Sequence, residues 1–313
     1  MGALRIFDQT VPVKDYYCSA FDEDFYQPMR EPKLWLYINI TDRCNGACRF
    51  CVNHSNGNAG TGVACVDPVK LSSVLSDLRP HLSGVSLTGG EPTLAGDTFA
   101  EVLRIVREMV PLNIMLNLAA NGTGMETLQR QGLYDAFSTI HISRHAVSDE
   151  ENRRIMGFDA PTAEDLKDLL AHAEDPGVFV LNCVLQKCGV ETPDDIRAYL
   201  EMAAEIGIQN VSFIGMFLAN DYCKEHYVSP AALAKEVFAR SDFRLWNHQK
   251  DHGFCSCLTG DYHAANRWIR FYFRCPGFAK APYVRQLLYT ADNRLLQGFG
   301  GLPFHLPPAK NEI

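Results

Sequence analysis

The sequence has no long apolar segment. Within its 313 residues no apolar run approaches the roughly 18 residues that a membrane-spanning helix requires, so we expect no membrane partner. Residues 1–30 lack a basic segment followed by an apolar one, so no targeting signal is expected there. Eleven cysteines without such a signal predict a reducing, cytoplasmic setting and metal ligation rather than disulfides.

The sequence also lacks an excess of positive charge. Its formal net charge is -8, which argues against a general nucleic-acid partner. A content of 47% hydrophobic and 21% charged residues is ordinary for a globular protein. The length suits a barrel with an appendage rather than one small domain.

Three of the cysteines lie close together, directly after an apolar run at residues 34–40. Cys44, Cys48 and Cys51 occupy positions i, i+4 and i+7, and the Asn-Gly pair after the first of them favours a turn over a helix. Thiolates are ligands for iron–sulfur clusters and for zinc. Three thiolates leave one iron of a four-iron cubane open, whereas structural zinc normally takes four protein ligands. A partial zinc site and three cysteines on one helix face are the alternatives.

A second motif, Gly-Gly-Glu-Pro at residues 89–92, ends another apolar run. Glycine lets a backbone approach a ligand closely, and the Glu91 carboxylate can accept hydrogen bonds from an ammonium group. The C-x3-C-x2-C motif followed by Gly-Gly-Glu-Pro resembles the radical S-adenosylmethionine (SAM) superfamily. The resemblance implies a [4Fe-4S] cluster on the three cysteines. Its open iron would bind SAM, and one electron would cleave SAM to a 5′-deoxyadenosyl radical that takes hydrogen from the substrate.

Strand-like and helix-like segments alternate through most of the chain. The predicted strands are residues 34–40, 85–88, 114–119, 139–143, 178–185 and 211–216. This alternation predicts an α/β fold of parallel β/α units, and the resemblance makes it a partial (β/α)6 barrel with ligands at the carboxyl ends of the strands. The expected divisions are an irregular N-terminal arm (1–33), the radical SAM barrel (34–240) and a small β-hairpin extension containing cysteines (241–313).

The resemblance also implies which residues contact SAM. It assigns Phe50 to the adenine, and Gly90 and Glu91 to the methionine moiety. The other cofactor-binding residues that it implies are Gly89, Asn121, Ser143, Arg144, Asn182 and Met216. Each also has a purely structural alternative, such as shaping a turn for Asn121 or filling the core for Met216.

In the C-terminal part, the alternation of strands and helices stops and cysteines lie near hairpin-like segments. Cys255, Cys257 and Cys275 resemble ligands of the shortened auxiliary-cluster ("twitch") extension of many radical SAM enzymes. The resemblance implies a second iron–sulfur cluster with an open iron, or with Cys223 or His252 as an outside ligand. Structural zinc with a histidine, or plain buried thiols, remain the alternatives.

Two further cysteines lie near the end of the fifth predicted strand. A thiol there can give a hydrogen atom to a carbon radical, and delivery from the opposite face epimerises that carbon. Cys183 faces the barrel only if its neighbour Asn182 does not, and Cys188 lies in the following loop. A buried core cysteine is the alternative for each.

The sequence therefore predicts a radical SAM oxidoreductase or epimerase. Its expected substrate is a small polar molecule such as an amino-carbohydrate, and its expected reductant is flavodoxin or ferredoxin. A ribosomal-peptide maturase is an alternative, although residues 1–33 are too short for the peptide-binding domain of many such relatives. A nucleotide cyclase is another, because Arg267, Arg270 and Arg274 could hold phosphates, unless they only form a solvated strand face. The non-enzyme alternative is a zinc-stabilised binding protein.

Overall fold

The computed structural model describes residues 2–7, 9–13, 33–55, 64–245, 258–274, 283–284, 286–299, 301, 303–304 and 306. Its strands are β1 (Gly2–Ile6), β2 (Gln9–Val13), β3 (Leu34–Asn39), β4 (Leu82–Thr88), β5 (Met115–Ala120), β6 (Thr139–Ser143), β7 (Phe179–Leu185), β8 (Asn210–Gly215), β9 (Arg244–Leu245), β10 (Leu258–Ala264), β11 (Arg267–Arg274), β12 (Gln286–Tyr289) and β13 (Leu295–Leu296). Its α-helices are α1 (Val52–Ser55), α2 (Pro68–Leu78), α3 (Asp97–Met109), α4 (Met125–Arg130), α5 (Asp149–Met156), α6 (Ala163–Ala171), α7 (Pro193–Ile206), α8 (Asp221–Glu225) and α9 (Pro230–Phe238).

The predicted α/β fold is confirmed. Strands β3 to β8 lie side by side in sequence order, every neighbouring pair is parallel, and helices connect them. β4 begins at Leu82, three residues before the predicted start, because Ser83-Gly84 reads as a turn but belongs to the strand. Gly84 is required there, since a Cβ atom would lie 2.3 Å from the ring of Trp35 on β3.

Several helices begin directly after a residue whose side chain accepts hydrogen bonds from the first turn. Asp67 accepts hydrogen bonds from the backbone N–H groups of α2, and Thr162 and Thr192 form capping boxes with the aspartates three residues later. Asp97 is the first residue of α3, and Gly96 occupies the cap position before it. None of the helices in the described part of the chain is both long and apolar enough to cross a membrane.

The sheet curves until distant strands meet across its concave side. Tyr37 lies on β3 and Arg274 on β11, with five strands between them in the sheet. Nevertheless Nη2 of Arg274 donates a hydrogen bond to the Tyr37 hydroxyl at 2.9 Å. A flat sheet would hold these strands more than 20 Å apart, at roughly 4.8 Å per strand, so the strands enclose an interior as a partial barrel does.

The two faces of the barrel strands differ in polarity. On β6, Ile140 and Ile142 pack outward into the hydrophobic core against the helices, while Thr139, His141 and Ser143 face inward. The same alternation runs along the neighbouring strands. Other inward polar residues are Tyr37, Asn39, Ser86, Thr88, Asn117, Asn182, Ser212 and Arg274. The concave side is therefore polar, as a ligand-binding surface requires.

The segments before and after the barrel differ from the predicted irregular arm and separate hairpin extension. Within the predicted irregular arm (1–33), β1 and β2 form an antiparallel hairpin whose Val13 bridges Val284, and residues 14–32 lie outside the described residues. The C-terminal strands continue the barrel sheet rather than forming a separate one. β11 pairs in parallel with β8, and β12 pairs in parallel with β3, while β10 and β13 complete two hairpins.

An aromatic cluster attaches β11 to the barrel. The ring of Phe213 on β8 lies 5.5 Å from those of Tyr199 and Phe273 and 6.1 Å from that of Phe271. We expect Phe213→Ala to lower the free energy of unfolding by about 3–5 kcal/mol, because it leaves a cavity between strand and helix. Denaturant unfolding measures this. Trp268→Ala is the matched control, since Trp268 on β11 is 58% exposed, and its effect should stay within about 0.5 kcal/mol.

Candidate functional site

The cysteine loop lies at the carboxyl end of β3 and is held by its neighbours. The backbone N–H of Ala47 donates to the carbonyl of Met156 at 2.8 Å, and the side chain of Asn220 donates to the carbonyl of Arg49 at 3.0 Å. The guanidinium of Arg49 lies 4.3 Å above the ring of Tyr222 on α8. Contacts from two sides thus hold the loop over the end of the barrel.

The three candidate ligand thiols are close enough to influence one another. Burial, together with the neighbouring thiols of Cys51 and Cys44, raises the pKa of Cys48 to about 12. Burial also raises the pKa of Cys44, although a hydrogen bond from Gly46 opposes this. Cys44 and Cys48 therefore stay protonated at neutral pH without a metal, and binding one releases their protons.

The donor set consists of three thiolates, the number that a cubane with one open iron takes. In the described residues, no three His, Cys, Asp or Glu side chains converge closely enough to hold one metal ion. A cubane places each thiolate on a different iron, so its ligands stand further apart than those of a single zinc ion. Cys44, Cys48 and Cys51 are the described residues that would hold such a cluster.

The Gly-Gly-Glu-Pro turn at the end of β4 packs against the cysteine loop. The N–H of Gly90 donates to the carbonyl of Thr41, and the N–H of Glu91 donates to that of Arg43 at 2.7 Å. A Cβ atom on Gly90 would lie 2.3 Å from the Arg43 carbonyl oxygen, and one on Gly89 would lie 2.7 Å from that of Thr41. The glycines are needed for this backbone approach, which is a different reason from the ligand approach that we predicted.

The Glu91 carboxylate is directed into the protein. It is fully buried, one oxygen accepts from the N–H and hydroxyl of Thr93, and the other accepts from the N–H of Asn121 at 2.6 Å. Burial raises its pKa, and these hydrogen bonds oppose the shift. Glu91 thus uses both oxygens to join the ends of β4 and β5, and its predicted contact with an ammonium group stays a prediction.

Asn121 connects the end of β5 to the cysteine loop. Its Nδ2 donates to Oδ1 of Asn45 at 2.7 Å and lies 4.0 Å from the sulfur of Cys44, while its Oδ1 accepts from Thr123. The side chain thus shapes a turn and also contacts a candidate ligand. The turn-shaping alternative is therefore present, and the predicted contact of Asn121 with SAM stays a prediction.

Phe50 and His145 form an aromatic pair beside the loop. Their rings meet edge to face with centroids 4.9 Å apart. His145 is almost completely buried, and Nδ1 accepts from the N–H of Val184 at 3.1 Å. Burial, with the nearby charge of Arg144, lowers the pKa of His145 to about 3, so it is neutral. Phe50 remains half-buried, which leaves part of its ring for a ligand.

Ser143 and Arg144 point to opposite sides of the strand. Ser143 faces inward, and its predicted contact with the cofactor stays a prediction. Arg144 is wrongly predicted as a cofactor residue, since its side chain is 1% exposed and points towards the helices. Its Nη2 donates to Asp149 and to the carbonyl of Val147, both at 2.7 Å. The period of two in a strand sends these neighbours to opposite faces.

Asn182 faces the interior together with a histidine that we did not predict. The Nδ1 of His141 lies 3.0 Å from Oδ1 of Asn182, and its Nε2 lies 3.0 Å from the hydroxyl of Thr139. Because Oδ1 of Asn182 can only accept, Nδ1 of His141 carries the proton and donates it. The amide nitrogen of Asn182 therefore points away from His141. The alternation Thr-Ile-His-Ile-Ser in β6 is the sequence signal that could have identified His141.

The remaining candidates lie in three different surroundings. Met216 is buried after the end of β8, outside the main hydrophobic core. Cys183 is fully buried in that core, on the opposite face from Asn182, and this placement argues against it as a hydrogen donor. Cys188 is exposed in the loop after β7, with a positive φ of 61° and its N–H donating to Glu191.

The candidates for a second cluster lie mostly outside the described residues. Cys255, Cys257, Cys275 and His252 all fall there. Cys223 is described and is buried on α8, where its sulfur lies 3.9 Å from the carbonyl oxygen of Phe50. Cys223 therefore lies next to the cysteine loop.

The fold and the cysteine loop together define a class of protein. Residues 38–187 match the Radical SAM superfamily, so this segment is a radical SAM domain, as predicted. A domain of this superfamily implies a [4Fe-4S] cluster and SAM as its cofactors.

Two curated proteins are similar to part of this chain. A Sulfurisphaera tokodaii protein named "Probable GTP 3',8-cyclase" is 27% identical over 57% of this chain and 55% of its own length. A Thermococcus kodakarensis protein of the same name is 29% identical over 43% of this chain and 42% of its own. The chain thus spans about half the length of these curated relatives. Streptococcus suis SuiB, solved bound to S-adenosylmethionine, shares the fold with a TM-score of 0.58 and 14% identity, over 88% of this chain and 63% of SuiB.

Replacing Cys44, Cys48 and Cys51 together by Ala should remove about four irons per chain and all reductive cleavage of SAM. The physical reason is that the cluster loses the three thiolates that would bind its irons. Iron analysis and 5′-deoxyadenosine formation measure the two effects. Retained cleavage in the triple variant would contradict the assignment. Any iron and sulfide that remain would report the proposed second cluster, and bound zinc instead would favour a structural metal.

Glu91→Ala and Glu91→Gln should both destabilise the protein. Alanine leaves the buried N–H groups of Asn121 and Thr93 without an acceptor, at about 1–3 kcal/mol for each group. Glutamine places its own amide N–H against one of these donors. Denaturant unfolding of the iron-free protein measures the loss separately from cofactor binding. Unchanged stability with weakened SAM binding would instead support the direct contact predicted from the sequence.

Proposed function

We propose that this protein is a radical SAM enzyme that abstracts hydrogen from a small polar substrate held on the concave face of the barrel. When bound, the cluster and SAM supply a 5′-deoxyadenosyl radical. The protein's part is to hold the substrate beneath the cysteine loop and to exclude water from the carbon radical that hydrogen abstraction leaves.

One observation carries the proposal: the inner wall of the barrel holds buried polar atoms without a partner. Asn39 Oδ1, Asn117 Oδ1 and Ser212 Oγ are buried and have no hydrogen-bond partner. They lie on β3, β5 and β8, on inward positions of different strands. Buried polar atoms nearly always have partners, so their arrangement favours a ligand that brings hydroxyl or amino groups.

The proposed outcome is epimerisation or oxidation of that substrate. Epimerisation requires a thiol that delivers a hydrogen atom. The exposure of Cys188 near the carboxyl end of β7, compared with the burial of Cys183 in the core, supports Cys188 as this donor. The resulting thiyl radical then needs one electron and one proton, which the external reductant and solvent supply. Oxidation requires the carbon radical to lose one electron and one proton, and the proposed C-terminal cluster is the electron acceptor.

Nucleotide cyclisation is the second candidate function. The curated relatives named above support it, as does the position of Arg274. That residue faces the barrel interior and contacts Tyr37, whereas a solvated strand face was the alternative expected from the sequence. A product of GTP with unchanged mass and a new ring would favour this candidate over epimerisation or oxidation.

Turnover of the reconstituted enzyme with amino-carbohydrates and with GTP tests the proposal. We expect one of these classes to increase 5′-deoxyadenosine formation and to pass its hydrogen to that product. In deuterated water an epimerised product should carry one deuterium, because thiol protons exchange with solvent. Cys188→Ala should then replace the epimer by the ketone.

Cys183→Ala is the matched control, because its thiol lies in the hydrophobic core. It should leave the product distribution unchanged. If neither variant changes the product and no deuterium enters, then thiol quenching is wrong and dehydrogenation is favoured. If no small polar substrate stimulates SAM cleavage, the proposed function itself is contradicted.

A further inference from the structure

We propose that His141 is a positioning residue for SAM binding: its ring fixes the side-chain amide of Asn182 so that the amide nitrogen donates to an acceptor oxygen of SAM. This inference rests on the proposed function, since it takes the barrel interior as the place where SAM binds. The contact of Asn182 with SAM is implied by the resemblance, whereas the role of His141 follows from its own hydrogen bonds.

The two ring nitrogens of His141 each have one hydrogen-bond partner among the described residues. The register partners of His141 in the sheet are Ala119 on β5 and Val180 on β7, and both are apolar. The polar groups within reach are Thr139, two residues earlier on β6, and Asn182, two residues after Val180. The ring therefore bridges these two side chains.

The direction of these hydrogen bonds follows from the protonation of the ring. Burial lowers the pKa of His141 to about 4, although the hydrogen bond with Asn182 opposes the shift, so the ring is neutral and carries one N–H. That N–H is at Nδ1, because Oδ1 of Asn182 can only accept. The hydroxyl of Thr139 then donates to Nε2, and donors run in one direction from Thr139 through His141 to Asn182.

This series of hydrogen bonds selects one orientation of the Asn182 amide. Its Oδ1 accepts from His141, while its Nδ2 has no hydrogen-bond partner among the described residues, and Asn182 is only half-buried. In the reversed amide, Nδ2 would face the Nδ1–H of His141, and neither donor would have an acceptor. Asn182 therefore presents a donor to the barrel interior, and its ligand must supply an acceptor.

Asn182 also lies in a row of polar residues across three strands. Its register partners are Ser143 on β6 and Ser212 on β8. The Oγ of Ser212 is buried without a hydrogen-bond partner, which favours a ligand beside this row. SAM carries carboxylate and hydroxyl oxygens that accept from an amide N–H, so the donor set fits it.

The tautomer of His141 is the first test. It is measured by 15N NMR of histidine-labelled protein that carries its cluster, in the absence of SAM, with His141→Asn used to assign the signal. We expect the proton at Nδ1. A proton at Nε2 would overturn the proposal, because Nδ1 would then accept from a reversed Asn182 amide.

Two substitutions of His141 separate positioning from packing. His141→Leu keeps a similar volume but has no donor, whereas His141→Asn is smaller and keeps an N–H near the place of Nδ1. We expect His141→Leu to weaken SAM binding about three- to tenfold, and His141→Asn to restore most of that affinity. Denaturant unfolding should rank the two variants in the opposite order, because the smaller asparagine leaves a cavity. Equilibrium dialysis of labelled SAM without reductant measures affinity separately from turnover.

A double-variant cycle tests whether His141 acts through Asn182. In the Asn182→Ala background, His141→Leu should cause no further loss of SAM affinity. His172→Leu is the control for loss of a histidine elsewhere, since His172 is exposed and its Nδ1 contacts the carbonyl of Asp168. It should leave SAM affinity unchanged.

The contrary outcomes are equally specific. Unchanged SAM affinity in His141→Leu, equal losses in His141→Leu and His141→Asn, or additive losses in the double variant would overturn the proposal. Should His141→Leu fail to fold, the tautomer of the wild-type protein still decides. The proposed function fails separately. If SAM binding depends on His141 as expected but no small polar substrate increases 5′-deoxyadenosine formation, then the positioning role holds and the assigned substrate class is wrong.

Discussion

The buried carboxylate of Glu91 is the contact on which the candidate site depends. The two carboxylate oxygens accept hydrogen bonds from Thr93 and Asn121, and the backbone N–H of Glu91 donates to the carbonyl of Arg43. Glu91 thus joins the turn after β4 to the end of β5 and to the loop that follows β3 and carries the cysteines. A carboxylate suits this position because it only accepts when ionised, and backbone N–H groups at strand ends need acceptors.

The second constraint is the polarity of the two strand faces. Outward residues such as Leu36, Leu118 and Phe213 are buried against helices, and they supply the apolar surface whose burial stabilises the fold. Inward residues such as His141 and Ser212 contribute little apolar burial. Some inward polar side chains are hydrogen-bonded to each other, as His141 and Asn182 are. Other buried polar atoms on this face have no hydrogen-bond partner and are available to a ligand. Stability and binding therefore reside on opposite faces of the same strands.

The functional proposals follow from this division. The cysteine loop occupies one end of the barrel, and the polar atoms without a partner lie in the barrel interior. The side chain of Arg274 reaches across this interior from β11 to β3. Because β11 pairs directly with β8, the C-terminal part of the chain contributes to the interior rather than standing beside it. A substrate on the concave face would then contact both parts of the chain.

The sequence by itself determined the strand order, the helix caps and the cysteine loop. These depend on local chemistry: Thr162 and Thr192 cap helices through side chains three residues away, and the loop motif lies within eight residues. The roles of Glu91, Arg144 and Cys183 were decided only by tertiary structure. Strand parity places Arg144 and Cys183 outward, and the partner of Glu91 lies 30 residues further along the chain. The meeting of Tyr37 and Arg274 spans 237 residues and depends on sheet curvature, which no local pattern encodes.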